Sequence, residues 1–144
     1  PGKMYVRTIQ DSFVTSRAGN PHQCLAHEVL SNDILSLRYT RLDRKLPEEM
    51  LEQILIYLLL ALDFLHSECY IIHIVLDIKE ENILIGLVDS SIVELLDTKE
   101  IAALSLYKSV NGYNLYKSAG FGIQTKFGRP ILCGFSLARN GQVE

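Results

Sequence analysis

Three polar residues on one short stretch carry the chemical information in this chain: Asp77, Lys79 and Asn82. A carboxylate can take a proton from a hydroxyl, an ammonium can steady a phosphate, and an amide oxygen can ligate a hard cation. Phosphoryl transfer needs such groups side by side, because there the protein mainly positions reactants and neutralises charge. Asp77 and Asn82 stand five positions apart with Lys79 between them. Alone, Asp-x-Lys-x-x-Asn is a weak signal, since these residues are common in loops and cap nearby backbone groups. In that plainer reading Lys79 pairs on the surface with Glu80 or Glu81, a contact worth under about 1 kcal/mol.

Two short β-branched runs flank the polar stretch, Ile71-Ile72-His73-Ile74-Val75 and Ile83-Leu84-Ile85, and both read as strands. Upstream, Leu46-Pro47-Glu48-Glu49 is a helix start, with Pro in the first turn and acids at the positive end. From there Leu51, Ile54, Leu55, Leu58, Leu59, Leu62 and Leu65 recur at three- and four-residue spacing, the apolar face of a long helix. Its most apolar part, Ile54 to Leu62, is followed by Asp63. That run falls short of the roughly 20 residues of a membrane span, so a buried core helix is expected. Met4 to Ile9 reads as a strand, Ser16 to Pro21 as a turn, and Cys24 to Leu30 as the returning strand. Ser31-Asn32-Asp33 can cap a short helix running through Leu37. Ser90 to Leu106 has helical periodicity, glycine-rich Asn111 to Gly128 reads as loop, and Pro130 to Cys133 as a last strand.

The 144 residues make one domain by length, and the 48% hydrophobic and 22% charged content is that of a globular protein. Cys24, Cys69 and Cys133 form no Cys-x-x-C pair. A zinc site or disulfide framework is therefore not expected, and a reducing intracellular setting is. No signal-peptide-like run follows Pro1. The net charge of −3 is unevenly spread: residues 47–100 hold twelve Asp/Glu against two Lys/Arg, whereas both flanks are basic. An acidic middle favours basic partners and disfavours nucleic-acid backbone, unless it is simply a solvated face.

In its wider context the polar stretch resembles the catalytic loop of eukaryotic protein kinases. The supporting run is Leu65-His66-Ser67-Glu68-Cys69 with Ile71-Ile72-His73 before the loop, and Ile83-Leu84 after it. His73 followed by Asp77-Ile78-Lys79 resembles the SR-protein kinase branch, which writes His-Thr-Asp-Ile-Lys. His22-Gln23-Cys24-Leu25, Glu28 and Leu30 are similar to the strand and hinge of its fungal members. Phe127-Gly128-Arg129-Pro130-Ile131-Leu132-Cys133 resembles the run into the Asp-Phe-Gly motif, and a long insert, about 87–127, also fits that branch. The resemblance implies an α+β, partial protein-kinase-like fold: residues 1–30 a small-lobe remnant and hinge, 31–144 part of the large lobe. It implies Asp77 and Lys79 as catalytic residues, Glu28, Leu30 and Leu84 at the nucleotide, and Asn82 at the metal. His27 falls at the gatekeeper position. ATP and Mg are the family's cofactors, Arg/Ser-rich splicing factors its substrates, and cytoplasm or nucleus its location. Neither direct nucleic-acid binding nor a membrane is implied.

Three departures bear on activity. The Asp-Phe-Gly motif is here Gly134-Phe135-Ser136, so the main metal carboxylate is missing, a loss of about three orders of magnitude in rate. Ile74-Val75-Leu76 stands where the family has one Thr, and even a 1 Å displacement of a reacting group can cost roughly a hundredfold. The small-lobe Gly-rich loop, the phosphate-gripping Lys and its partner Glu have no counterpart in these residues, and Gly120-Phe121-Gly122 is no substitute. The expectation is a serine/threonine kinase-like domain with impaired catalysis. The alternatives are a pseudokinase-like module that binds basic partners, or a non-functional gene remnant.

Overall fold

Ile83-Leu84-Ile85, an apolar run with β-branched isoleucine at both ends, forms the strand around which the chain is organised. A computed structural model describes residues 1–17, 19–73, 78–103, 105–110, 112–117 and 126–142. It is a mixed α and β structure with small sheets and few helices. The strands are β1 (Ile9–Arg17), β2 (Asn20–His27), β3 (Leu30–Asp33), β4 (Ile71–Ile72), β5 (Ile83–Gly86), β6 (Tyr107–Val110), β7 (Tyr113–Tyr116), β8 (Pro130–Leu132) and β9 (Arg139–Asn140). The helices are α1 (Ile34–Tyr39), α2 (Glu48–Ser67) and α3 (Ser91–Ala102).

The sheet order β3-β5-β8 is antiparallel throughout, with Leu84 opposite both Asp33 and Ile131. Side chains alternate across this sheet. Ile83, Ile85 and Leu132 face one way and join Ile34, Ile54, Ala61 and Leu65 in the main core. Leu84 faces the other way and packs on Leu30, Ile131 and Cys133. Asp33 ends β3 and caps α1, its carboxylate accepting from the Ser36 amide at 2.7 Å.

Helix α2 begins after Pro47 and runs 20 residues. Only Ile54, Ala61 and Leu65 of it are buried, while Leu51, Leu55, Ile56 and Leu59 remain exposed, Leu59 at 66%. The expected buried core helix is thus buried on one narrow stripe. By length and composition alone α2 would also pass for a membrane span.

The expected strand over Met4 to Ile9 is instead a 3-10 turn, Gly2–Tyr5, and the strand starts only at Ile9. Tertiary packing overrides propensity here. Gly2 lies directly on the α2 backbone, where an added Cβ would meet the Leu60 carbonyl and the Phe64 Cβ. Tyr5 stacks on Tyr57 at 4.5 Å between ring centroids, and the Arg7 amide donates to Leu132 O at 2.9 Å. The β1–β2 hairpin turns at Gly19, φ +80°. A second hairpin, β6–β7, occupies part of the stretch expected as loop.

Gly2→Ala should lower stability by about 1–3 kcal/mol, because the contacted carbonyl belongs to helical backbone and cannot swing aside. Urea unfolding checks this, with Gly19→Thr as the comparison: no atom lies within 4 Å of its added Cβ, so its cost is backbone strain alone.

Candidate functional site

The ends of three elements meet beside the polar loop. His73 follows β4 and is 3% exposed; its Nε2 donates to the Cys133 carbonyl at 3.1 Å, 60 residues on. A carbonyl only accepts, so Nε2 carries a proton here. The Phe135 ring stands edge-on to the imidazole at 5.1 Å and 70°. From the other side of the loop, the Asn82 carbonyl accepts from the Cys133 amide at 2.7 Å. Both flanks of the loop are therefore pinned to the backbone leaving β8.

Asp77 lies outside the described residues, as do Ile74, Val75 and Leu76 of the expected insertion. Lys79 is exposed and opens the 3-10 turn Glu80–Asn82. Glu80 pairs with Arg38 of α1 at 2.9 Å, so Lys79 is not its salt-bridge partner. Asn82 is half-buried and points at Gly134: a Cβ built on Gly134 would collide with the Asn82 amide group, whose Oδ1 lies 2.7 Å away. Gly134 itself has φ +76°, a left-handed conformation that suits glycine.

The residues assigned to a nucleotide are placed unevenly. Leu30 and Leu84 come together with Ile131 and Cys133 as an apolar platform. Glu28 is exposed after β2, its carboxylate 3.9 Å from Arg129, a loose contact of little energy. His27 turns back to the Thr8 carbonyl at 3.0 Å, a structural bond rather than a ligand position. Sequence reasoning missed Arg38 and Arg129, whose partners Glu80 and Glu28 are brought to them only by the fold.

Magnesium wants about six oxygen ligands, at least one or two of them carboxylates. Among the described residues no group of three His, Cys, Asp or Glu can hold a metal, and the position facing Asn82 is a glycine. The described donors do not fit Mg, and no metal-dependent step follows from them.

Cys133 is 3% exposed, and burial pushes its thiol pKa up from the ordinary 9.0, outweighing the nearby Arg7 guanidinium that pulls it down. Cys133 should resist iodoacetamide while Cys24 and Cys69, both partly exposed, are alkylated first. The sign of the pH effect follows from where protons bind. Above the ordinary value the unfolded thiol has lost its proton and the folded one keeps it, so stability is fully present below pH 9.0 and falls as pH rises beyond it. Cys133→Ala should flatten that alkaline decline; an unchanged slope in chemical denaturation between pH 8 and 10.5 would sink the assignment.

No protein-family profile matches the chain. A serine/threonine protein kinase of Aspergillus fumigatus is 35% identical over 146 aligned residues, covering 99% of this chain and 34% of that protein. The protein kinase dsk1 of Schizosaccharomyces pombe is 42% identical across 58% of this chain and 15% of its own length. The SRSF protein kinase 3 of Mus musculus is 34% identical across 64% of this chain and 16% of its own length. The chain thus spans about one third of the Aspergillus relative it matches from end to end. On that homology, read with the motifs around His73 and Asn82, the chain is related over nearly its whole length to a stretch of serine/threonine protein kinases of the SR-protein kinase type.

Proposed function

We propose that these residues form part of a protein-kinase-like domain that has lost most of its phosphoryl-transfer capacity. The observation that carries this is the pairing of a family-like loop with Gly134. His73, Asn82, Cys133 and Phe135 hold the loop flanks as a catalytic loop would need. The position that should supply a metal carboxylate supplies only backbone. In the family ATP and Mg are the cofactors, and Arg/Ser-rich proteins, through mRNA processing, are the substrates. By that reading Asp77 is the proton acceptor, Lys79 steadies phosphate, Asn82 occupies the family's metal-ligand position without the carboxylate partner that Mg needs, and Leu30, Leu84 and the Glu28 backbone address adenine. An intracellular setting, cytoplasm or nucleus, accompanies the assignment.

The domain division follows the same reading. Residues 1–30 correspond to small-lobe and hinge, and residues 31–144 to part of the large lobe with an insert over about 87–127. The exposed row Leu51, Leu55 and Leu59 on α2 supports it, since an apolar row facing water is a surface that a further element would cover.

A binding role for basic partners is the second reading, favoured by the excess of ten negative charges over residues 47–100. One experiment separates the two. The chain is incubated with radiolabelled ATP, Mg and an Arg-Ser repeat peptide at low ionic strength. Impairment predicts transfer at least about a thousandfold below an active kinase control. Rapid transfer abolished by Asp77→Asn would refute it. Salt-sensitive peptide binding without transfer would select the binding role.

Restoring the family motif by Gly134→Asp should not rescue activity. The new residue must adopt a left-handed backbone, at about 1–2 kcal/mol, and must push the Asn82 amide aside. A lower melting temperature and no Mg-dependent ADP binding by calorimetry are expected; tight Mg-ADP binding by this variant would show that the site needs only its carboxylate.

A further inference from the structure

Strand β9 is tied back to the turn that follows α2. It pairs with β4 over two residues, Ile71 opposite Asn140 and Ile72 opposite Arg139. One step beyond, the Gly141 amide donates to the Tyr70 carbonyl at 2.6 Å. Gly141 fits tightly there: an added Cβ would lie 3.2 Å from both the Tyr70 carbonyl and Ile72 Cγ1. Tyr70 presents that carbonyl with φ +54°, a left-handed conformation that an L side chain resists. The clasp is thus small, and strained on one side. Ile72, Arg139, Asn140 and Gly141 are exposed, so local opening is cheap.

The clasp holds a reactive pair. In Asn140-Gly141 the glycine carries no side chain to screen its nitrogen from the Asn140 carboxamide. The Gln142 amide donates to Asn140 Oδ1 at 2.9 Å, which folds the carboxamide back along the chain and polarises its carbonyl. Attack by the Gly141 nitrogen on Asn140 Cγ forms a five-membered imide. The bond from Cγ to the side-chain amino group breaks, that group leaves as ammonia with the Gly141 amide proton, and water opens the ring to aspartate or isoaspartate. The closed clasp blocks this twice. The Gly141 proton faces the Tyr70 carbonyl, so its removal would set a nitrogen anion against an oxygen lone pair. Pairing with Ile71 also keeps Asn140 extended, and ring closure needs that backbone to turn.

We propose that Asn140-Gly141 is a self-modification site gated by the β4–β9 clasp: it converts to isoaspartate when the clasp opens, and the product keeps the clasp from closing again. Isoaspartate carries an extra methylene in the main chain. With it, the two strand pairs and the Gly141–Tyr70 bond cannot all be kept in register. Tyr70 then loses the bond that holds it left-handed, and it relaxes. Because β4 runs directly into His73, the release reaches the entrance to the polar loop.

The test follows Asn140 in the full chain at mildly alkaline pH, by peptide mapping that separates it from Asn111-Gly112. The reference is the free peptide Leu-Ala-Arg-Asn-Gly-Gln. Conversion in the chain should be at least about tenfold slower than in the peptide, since only the open fraction reacts. Tyr70→Gly relieves the backbone strain and should slow conversion about threefold further, whereas Tyr70→Val worsens the strain and should speed it about tenfold. Neither substitution touches the reacting pair. After conversion the Gly141 amide should exchange with solvent as fast as in the peptide. Asn140→Asp, with the charge but no added methylene, should keep that amide protected. Equal rates in chain and peptide, equal rates in the two Tyr70 variants, or a protected Gly141 amide after conversion overturns the proposal. So does a Tyr70→Val chain that fails to convert while the peptide does.

Discussion

The hydrogen bonding of Ile83–Gly86 to a strand on each side is the constraint on which the rest depends. One four-residue strand holds β3 and β8 at fixed register and, because its side chains alternate, supplies both apolar faces at once. A one-residue slip would exchange Leu84 with Ile83 and Ile85, setting the platform residue against α2 and the core residues outward. It would also move Asn82 away from Gly134. Sheet register and loop geometry are therefore one variable rather than two.

The second layer of control is polar and small. The His73–Cys133 bond and the Cys133–Asn82 bond converge on one residue of the strand exit. A buried carbonyl left without its donor costs roughly 1–3 kcal/mol, so each bond resists loss more strongly than its net worth suggests. Such a clamp serves the fold whatever chemistry the loop carries, because its loss would leave buried backbone groups unpaired. Beside it, the absence of a side chain on Gly134 leaves room that the Asn82 amide fills.

How much of this was legible depended on whether a local signal and the tertiary demand agreed. For α2, the Leu46-Pro47-Glu48-Glu49 motif located the helix start to within a residue, yet the leucine spacing could not say how much of that face would be covered. Asp33 as a cap was readable because capping is local. The turn at Gly2–Tyr5 was not, since it is set by a contact with Leu60, far along the chain. The β6–β7 hairpin was missed for a different reason. Glycine count outweighed the Asn111-Gly112 step between tyrosine-rich runs, which is itself a hairpin signal. At the site, Asn82, Leu30 and Leu84 could be named from motif likeness. The Arg38–Glu80 pair could not, because nothing in the spacing of those two residues joins them.

One feature of the sheet edge bears on how such a chain can change over time. The Gly86 amide donates to the Arg129 carbonyl and the Gly128 amide returns a bond to the Gly86 carbonyl, so the long excursion leaves and re-enters the sheet at the same spot. A side chain on Gly128 would strike the Gly86 carbonyl. The excursion is thereby closed at its neck, and lengthening a closed loop adds only about 0.6 kcal/mol per doubling. Insertions and deletions beyond that neck are nearly neutral to the fold, whereas substitutions at the neck are not. Length is therefore cheap beyond the neck, while Gly128 at the neck admits no side chain without a shift of the Gly86 backbone.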